Sequence, residues 1–336
     1  MRGRPFAVRG PAVARRSQGR PLRSSAMDGP LGYVLRSATP EDFSAAADVL
    51  VADELDDSGE VVLGPEFLRA QWDRGGFDPT TDAWVAAAPE GVVVAYGHGA
   101  LEEPTVVDSW GIVHPEHRGR GVGTALLDRI ERRSVEMLGG IAGGRFRHAI
   151  NAADRGAAGM VLARGLHPFR HFWHMRIDVD EGFEAGGQPD GIRFRGIDPS
   201  EDLPAIHVVL VDAFAEDPGH TVAPFDRWVR EEASGSSFDP SLWLIAEDRS
   251  TIVGVLTASD FGDRGWIDYL AVLSETRGRG IGAALLRRSF ATFAGRGIRT
   301  VFLNVDAENV TGATALYERV GMRVVKRWDL WERTIS

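Results

Sequence analysis

Hydrophobic and polar positions follow two periods in the second half of the chain. A two-residue alternation or a β-rich apolar run marks residues 192–197, 242–247, 252–259, 266–273, 300–305 and 324–331 as strands. Helical spacing of apolar residues marks 202–214, 283–293 and 311–319, the last ended by Gly321. Residues 33–177 repeat the series. This order of elements predicts an α/β fold in each half: a central mixed (α+β) sheet with flanking helices.

The two halves share a glycine-rich segment, which indicates duplication of a whole domain. Arg118-Gly-Arg-Gly-Val-Gly123 precedes Arg277-Gly-Arg-Gly-Ile-Gly282 by 159 residues, and Gly165 precedes Gly321 by 156. A nearly constant offset over this length is typical of an internal repeat. We therefore expect an N-terminal domain at residues 31–180, a linker rich in glycine and acids at 181–190, and a C-terminal domain at 191–336.

Residues 1–30 differ from the rest of the chain. Seven arginines precede the first acidic residue, Asp28. Such a segment is compatible with an organellar targeting peptide, a disordered tail, or translated sequence upstream of an initiator at Met27. Because prolines and glycines interrupt any amphipathic helix here, we expect a disordered Arg-rich tail.

Composition narrows the class of protein. The 336 residues, 43% hydrophobic and 26% charged, suit a two-domain globular protein that is a monomer or homodimer. The net charge of −10 argues against a nucleic-acid partner. No apolar run is long enough for a membrane span. The absence of cysteine excludes disulfides and thiolate metal sites, and it is compatible with the cytoplasmic location that we expect.

The glycine-rich segment joins a predicted strand to a predicted helix in both halves. The first amides of a helix have no intrahelical acceptor, and glycine lets an anion approach the backbone. The helix dipole and the neighbouring arginines add positive potential. The pattern favours a pyrophosphate cradle over a plain turn. It does not match a Rossmann dinucleotide site, because it follows the fourth strand of the half and no acid follows where the ribose would need one.

Several of these residues carry a family resemblance. Arg277-x-x-Gly-x-Gly282 after an apolar strand, with Leu303-Asn-Val and Ala315-Leu-Tyr-Glu-Arg-Val-Gly-Met322, resembles the Gcn5-related N-acetyltransferase (GNAT) superfamily. The resemblance covers residues 33–178 and 191–333. The tandem arrangement, with Ala213-Phe-Ala-Glu-Asp-Pro218 and Phe238-Asp-Pro240, is also similar to the actinobacterial mycothiol synthases.

The resemblance implies an acetyl-CoA-dependent N-acetyltransferase that acts by direct attack of a small-molecule amine. Two alternatives remain open: a non-catalytic acyl-CoA-binding or regulatory module, and a protein N-acetyltransferase. In the second half the implied cofactor-binding residues are Leu270, Ala271 and Val272 for the acyl-pantetheine end, Arg277, Gly278, Arg279, Gly280, Ile281, Gly282 and Ala283 for the pyrophosphate, and Asn309. In the first half they are Ile112, Val113, Arg118, Gly119, Arg120, Gly121, Val122 and Gly123.

The resemblance also suggests catalytic groups. Tyr317 stands where the family often has a tyrosine that protonates the leaving thiolate, and its counterpart Val161 cannot donate a proton. The family's strand glutamate falls at Trp266, which is a departure. Asp268, two residues on, is our candidate base; its other interpretations are a substrate-ammonium anchor or an edge carboxylate without a role. We therefore expect the C-terminal half to be catalytic and the N-terminal half to be degenerate.

Histidine pairs raise the question of a metal. His114-x-x-His117 flanks a proline in a turn, and His171-x-x-His174 lies on a predicted strand, where side chains three apart diverge. Because the sequence has no cysteine and no His-Glu-x-x-His motif, we expect no metal site.

Overall fold

The computed structural model describes residues 27–74, 76–215, 222–234, 238–308 and 312–335. The described chain divides into two compact units. Residues 27–170 and 328–335 form the first, here called the N-terminal unit, and His171–Arg327 form the second, the C-terminal unit. Most of the Arg-rich segment, residues 1–26, lies outside the described residues. Within the rest of it, Met27 and Asp28 pair with the next strand.

The elements alternate as the sequence pattern predicts. The strands are β1 (Met27–Asp28), β2 (Val34–Ser37), β3 (Ala83–Ala87), β4 (Val93–Glu103), β5 (Val106–Val113), β6 (Gly144–Asn151), β7 (His167–Asp178), β8 (Ile192–Gly196), β9 (Leu244–Asp248), β10 (Thr251–Asp260), β11 (Gly265–Val272), β12 (Thr300–Asp306) and β13 (Arg323–Ile335). The α-helices are α1 (Phe43–Ser58), α2 (Pro65–Trp72), α3 (Pro79–Asp82), α4 (Val122–Leu138), α5 (Arg155–Ala163), α6 (Leu203–Phe214), α7 (Phe225–Glu232), α8 (Ile281–Gly295) and α9 (Ala313–Arg319).

Each unit contains a mixed sheet, which confirms the predicted fold class. In the N-terminal unit the strand order is β1-β2-β3-β4-β5-β6-β13, and in the C-terminal unit it is β7-β12-β11-β10-β9-β8. The β5–β6 and β11–β12 pairs are parallel, and the other pairs recorded within the units are antiparallel.

The units do not coincide with the two sequence halves, because each half gives its last strand to the other sheet. Trp328–Ile335 of β13 pairs with β6 of the N-terminal unit. Phe172–Asp178 of β7 pairs with β12 of the C-terminal unit. Alternation along a strand predicts its buried face but not its partner.

Helices cover the sheets through close contacts. Leu126 and Ile130 of α4 are buried, and a Cβ at Gly97 on β4 would come within 2.9 Å of Ile130 Cδ1. In the C-terminal unit a Cβ at Gly265 would come within 2.7 Å of the ring of Phe293 on α8. These two strand positions exclude a side chain because the helix packs directly on the backbone.

The pattern missed α2 and α7, two eight-residue helices. Each buries one tryptophan, Trp72 in α2 and Trp228 in α7. A proline at the start of α2 is a typical first-turn residue and was the available signal. No helix among the described residues is both long and apolar enough to cross a membrane.

Candidate active site

The neighbouring strands β11 and β12 of the C-terminal unit separate part of the way along. Their parallel pairing covers only Gly265–Ile267 of β11. Among the described residues, the backbone of β11 from Tyr269 to Val272 pairs with β10 alone. The predicted acyl-pantetheine residues Leu270, Ala271 and Val272 all lie on this segment. Its free edge offers backbone groups to an extended ligand.

The turn after β11 presents unpaired amides. Gly278 and Gly280 have φ of +79° and +80°, in the left-handed region that favours glycine. Ala284 N–H bonds to the Gly280 carbonyl at 3.0 Å, whereas among the described residues no acceptor faces the amides of 278–283. A Cβ at Gly278 would meet no atom within 4 Å. The turn is therefore an open, positive backbone site at the start of α8.

The arginine side chains of this turn bind within the protein. Arg277 donates to the Val272 carbonyl at 3.2 Å and to the Ala213 carbonyl at 3.2 Å. Arg279 pairs with Asp248 at 2.6 Å and donates to the Asp190 carbonyl at 3.1 Å. Both guanidinium groups hold the turn to its surroundings, so any anion site here consists chiefly of backbone amides.

Tyr317 lies on the short helix α9, which packs against the start of α8. A Cβ at Gly282 would come within 3.1 Å of Leu316 Cδ2, so the two helices are close at this point. Tyr317 is 4% exposed, and its hydroxyl has no hydrogen-bond partner among the described residues. Burial raises the pKa of Tyr317, so the phenol keeps its proton at neutral pH.

Asp268 is an extra residue in the β10–β11 ladder. Thr257 pairs with Tyr269 and Ala258 with Ile267, which leaves Asp268 as a β-bulge. Its carboxylate is buried and accepts a hydrogen bond from Ser259 Oγ at 2.7 Å. The bulge stands at the point where β11 parts from β12. No pattern in the sequence signalled it.

Trp266, at the position of the family's glutamate, is a packing residue. Its ring stacks on Phe302 with centroids 6.1 Å apart and meets His174 edge-on at 5.8 Å. Burial, with Lys326 nearby, lowers the pKa of His174 to about 3, so this histidine is neutral. An aromatic cluster therefore occupies the position at which the family often has a glutamate.

The N-terminal unit contains the same turn but has no tyrosine at the position of Tyr317. Gly119 and Gly121 also have φ of +73° and +81°, and Ala125 N–H bonds to the Gly121 carbonyl. Arg118 pairs with Asp53 and Asp56, each at 2.7 Å. The counterpart of Tyr317, Val161, is fully buried on α5.

The remaining predicted residues of the two turns have lesser roles in the geometry. Ile112, Val122 and Ile281 are buried in the cores, and a Cβ at Gly123 would come within 3.5 Å of Val113. Arg120 donates to Tyr33 Oη at 3.1 Å. Ala283 lies in the first turn of α8, whereas Asn309 lies outside the described residues.

One group of side chains could hold a metal ion. Ligand atoms of His114, Glu116 and His117 all lie within 4.8 Å of one another at the surface of the N-terminal unit. Tyr33 Oη is 2.8 Å from His117 Nδ1, and the His114 Nδ1 accepts from the Glu116 amide. The turn therefore brings together a pair for which we expected no metal role.

Comparison with known proteins agrees with this geometry. The Acetyltransferase (GNAT) family matches residues 49–144 and 206–322, so the chain belongs to the GNAT family and contains two of its domains. It is an acyltransferase of the N-acetyltransferase class.

Particular relatives cover most of the chain. A mycothiol acetyltransferase of Thermobispora bispora is 32% identical over 65% of this chain and 72% of its own. A mycothiol acetyltransferase of Streptomyces bingchenggensis is 30% identical, over 78% of this chain and 83% of its own. A GCN5-related N-acetyltransferase structure from Sphaerobacter thermophilus has 33% identity and a TM-score of 0.76, covering 90% of this chain and 95% of that one. A tandem GNAT protein from the clavulanic acid biosynthesis pathway has the same fold at 18% identity, with a TM-score of 0.67 and coverage of 90% and 98%.

Proposed function

We propose that the C-terminal unit transfers an acetyl group from acetyl-CoA to the amine of a small molecule. The observation that carries this proposal is the parting of β11 from β12 immediately upstream of a turn with unpaired amides. An extended chain that ends in a diphosphate needs both features, a strand edge for the chain and a positive turn for the diphosphate.

The residues present fit acetyl-CoA. Leu270, Ala271 and Val272 would pair with the pantetheine arm, and the amides of 278–283 would bind the diphosphate. The left-handed backbone at Gly278 and Gly280, with open space in front of Gly278, leaves room for a bulky anion. Acetyl-CoA would supply the thioester.

Two side chains of this unit would move the protons. Asp268 would accept the proton that an ammonium substrate must lose before its nitrogen attacks the acetyl carbon. As the C–N bond forms and the C–S bond breaks, Tyr317 would give its proton to the leaving sulfur, and the second proton released by the nitrogen as it becomes an amide would restore the phenol. Its raised pKa suits an acid that stays protonated until that step. Ser259 would orient Asp268 through their hydrogen bond.

The relatives narrow the choice of acceptor. Because both curated relatives are mycothiol acetyltransferases, a small-molecule amine of the mycothiol type is the first acceptor to test. The N-terminal unit keeps the turn but has Val161 in place of a tyrosine, so we propose that it binds acyl-CoA without turning it over.

Release of the coenzyme A thiol tests the proposal directly. The chain has no cysteine, so every thiol that a disulfide reagent detects belongs to coenzyme A. We expect thiol release that depends on both acetyl-CoA and an amine. Binding of acetyl-CoA without release for any amine would favour the non-catalytic module, and failure to bind would overturn both.

A further inference from the structure

A cluster of buried polar side chains in the N-terminal unit has no role in the function proposed above. His98 and Glu102 lie on β4, Asp108 and Trp110 lie on β5, and Arg147 lies on β6. All five are buried, with exposed fractions of 2–6%. They come from three adjacent strands of one sheet.

Several polar atoms in this cluster have no partner. Both carboxylate oxygens of Asp108, His98 Nδ1 and Trp110 Nε1 make no hydrogen bond among the described residues. The rings of His98 and Trp110 are 6.0 Å apart. Buried polar groups are nearly always hydrogen-bonded, so two acceptor oxygens and two ring nitrogens so close together indicate a missing occupant.

The charges of the cluster do not balance. Arg74 forms a two-pronged pair with Glu102, and Arg147 pairs with Glu332 at 2.6 Å. Arg147 reaches Asp108 only at 3.9 Å. Two arginines thus face three carboxylates, so one negative charge is uncompensated whenever all three carboxylates are ionised. At the edge, Arg145 lies 3.6 Å from Glu103 and 3.8 Å from Glu332. Including Arg145 and Glu103 adds one charge of each sign and does not change the difference.

We propose that the N-terminal unit binds a small ligand through its ammonium group, with Asp108 as the counter-ion and His98 Nδ1 as a second acceptor, while the indole N–H of Trp110, which only donates, bonds to an oxygen of the same ligand. A single ammonium would neutralise the excess charge and supply donors to both unpaired oxygens. Asp108 lies on β5 just before this strand leaves β6 after Trp110, so the site is next to the opening of the sheet.

The C-terminal unit shows that the cluster is particular to the N-terminal unit. Asp108 aligns with Ile267 in sequence, and the bulge places a different residue at its position in the strand register. Ala100 on β4 stands opposite Asp108, and its counterpart Ser259 stands opposite Trp266. An aromatic side chain therefore occupies the register position that Asp108 has here. Burial and the repulsion of Glu102 also raise the pKa of Asp108, the direction expected for a carboxyl group without its counter-ion.

The test follows the indole Nε1–H resonance of Trp110 in the ¹⁵N-labelled full-length protein, assigned by the loss of one signal in Trp110→Phe. Ethanolamine is the probe, and ethylene glycol is its uncharged match in size. We expect ethanolamine to shift the Trp110 signal saturably, with a dissociation constant on the order of 1 mM. Ethylene glycol should leave the signal in place.

Two substitutions remove the excess charge in different ways. Asp108→Asn removes the counter-ion itself, and Glu332→Gln leaves Arg147 free to pair with Asp108. Each should weaken ethanolamine binding more than about tenfold, whereas Glu90→Gln, at an exposed turn of the same unit, should not.

The proposal is overturned if ethanolamine leaves Trp110 unshifted in the folded wild type, which would mean that water fills the site. It is also overturned if either charge variant, shown to be folded by its thermal transition, responds as the wild type does. Thiol release by the C-terminal unit is measured separately, so failure of this site leaves the transferase proposal standing.

Discussion

In the N-terminal unit β5 stays paired with β6 through Trp110, whereas in the C-terminal unit β11 leaves β12 after Ile267. Trp110 aligns with Tyr269, so the C-terminal sheet opens two residues earlier. The bulge at Asp268 occurs at the same place, and the aligned residues of the N-terminal unit, His98 and Gly99 opposite Trp110 and Ser109, pair without one.

The glycine-rich turns of the two units, in contrast, are closely alike. Gly119 and Gly278 share a left-handed backbone, as do Gly121 and Gly280. A proline packs over the second glycine in both, Pro30 near Gly121 and Pro189 near Gly280. The geometry of the turn has thus been kept in both units, while the strand opening and the side chains that we propose for proton transfer differ. Duplicated domains can retain a binding function while only one retains the chemistry.

Removing one hydroxyl from the C-terminal unit is the strongest test of the proposed difference between the units. Tyr317→Phe should lower kcat by about a thousandfold, because it removes the proposed proton donor. Its thermal stability should change little, since the hydroxyl has no hydrogen-bond partner among the described residues. Steady-state kinetics and a melting curve measure the two effects.

Val161→Ala is the matched change in the N-terminal unit. It should lower stability by about 1 kcal/mol or more through the lost core packing, and it should leave kcat unchanged. Equal losses of kcat in the two variants would mean that Tyr317 acts through packing.

Acid should distinguish the units through their buried histidines. Burial lowers the pKa of His148 from 6.5 to about 4 and that of His98 from 6.5 to about 3. Between these values and 6.5 the unfolded chain binds a proton that the folded chain does not, so stability is present above pH 6.5 and is lost as the pH falls.

Between pH 7 and pH 5, each such histidine should lower the free energy of unfolding by about 2 kcal/mol. The N-terminal unit contains two of them, and the C-terminal unit contains His174, whose pKa is lowered to about 3. The raised pKa of Asp108 acts in the opposite direction in the N-terminal unit, so the histidine loss is measured by urea unfolding as the difference between the wild type and a histidine variant at both pH values. His148→Gln should reduce that loss, and an unchanged loss would contradict the assignment.

The turns can be compared by placing a carboxylate in each. Gly280→Glu should lower kcat/KM for acetyl-CoA by about a hundredfold, because an uncompensated charge would face the diphosphate. Gly121→Glu should abolish any binding of acetyl-CoA by the N-terminal unit and leave turnover by the C-terminal unit intact. Thermal shift with acetyl-CoA reports which turn is occupied.

Gly297→Glu is the control for backbone strain, since Gly297 has φ of +82° and open space around it but lies beyond the far end of α8. The Gly297→Glu variant should be less stable than the wild type but should bind acetyl-CoA with the same affinity. If Gly297→Glu and Gly280→Glu weakened acetyl-CoA equally, the turn would have no special part in binding.

The sequence predicted the local features of this site and missed those that depend on distant pairing. The duplicated turn could be predicted because glycine spacing and the strand-to-helix change are local signals. The exchange of the last strands could not, since β13 fits the edge of either sheet by its own pattern. The bulge at Asp268 depends on register against Thr257 and Ala258, which alternation alone does not determine.

The groups that bind the two arginine side chains of the C-terminal turn could not be predicted from the sequence either. Arg277 and Arg279 suggested direct charge at the diphosphate, but the groups that bind them, the Ala213 carbonyl and Asp248, come from remote segments. Likewise, the surroundings of Asp108 could not be predicted from its own strand. They arise only when the segment after α2 and the strands β4, β6 and β13 bring Arg74, Glu102, Arg147 and Glu332 together.

The smallest predicted effect concerns one hydroxyl in each unit. Ser259→Ala removes the hydrogen bond to Asp268 and should lower kcat by about tenfold, with a shift in the pH profile, because the carboxylate loses its orientation. The counterpart of Ser259 is an alanine, Ala100, so the comparison uses another buried serine of the N-terminal unit: Ser109→Ala removes the hydroxyl that donates to the Arg147 carbonyl and lies 2.7 Å from His148 Nδ1, and it should leave kcat unchanged. If both variants kept full activity, Ser259 would be a packing residue and the bulge alone would position Asp268. If both lost activity, the N-terminal unit would take part in turnover, and the division of roles between the units would have to be given up.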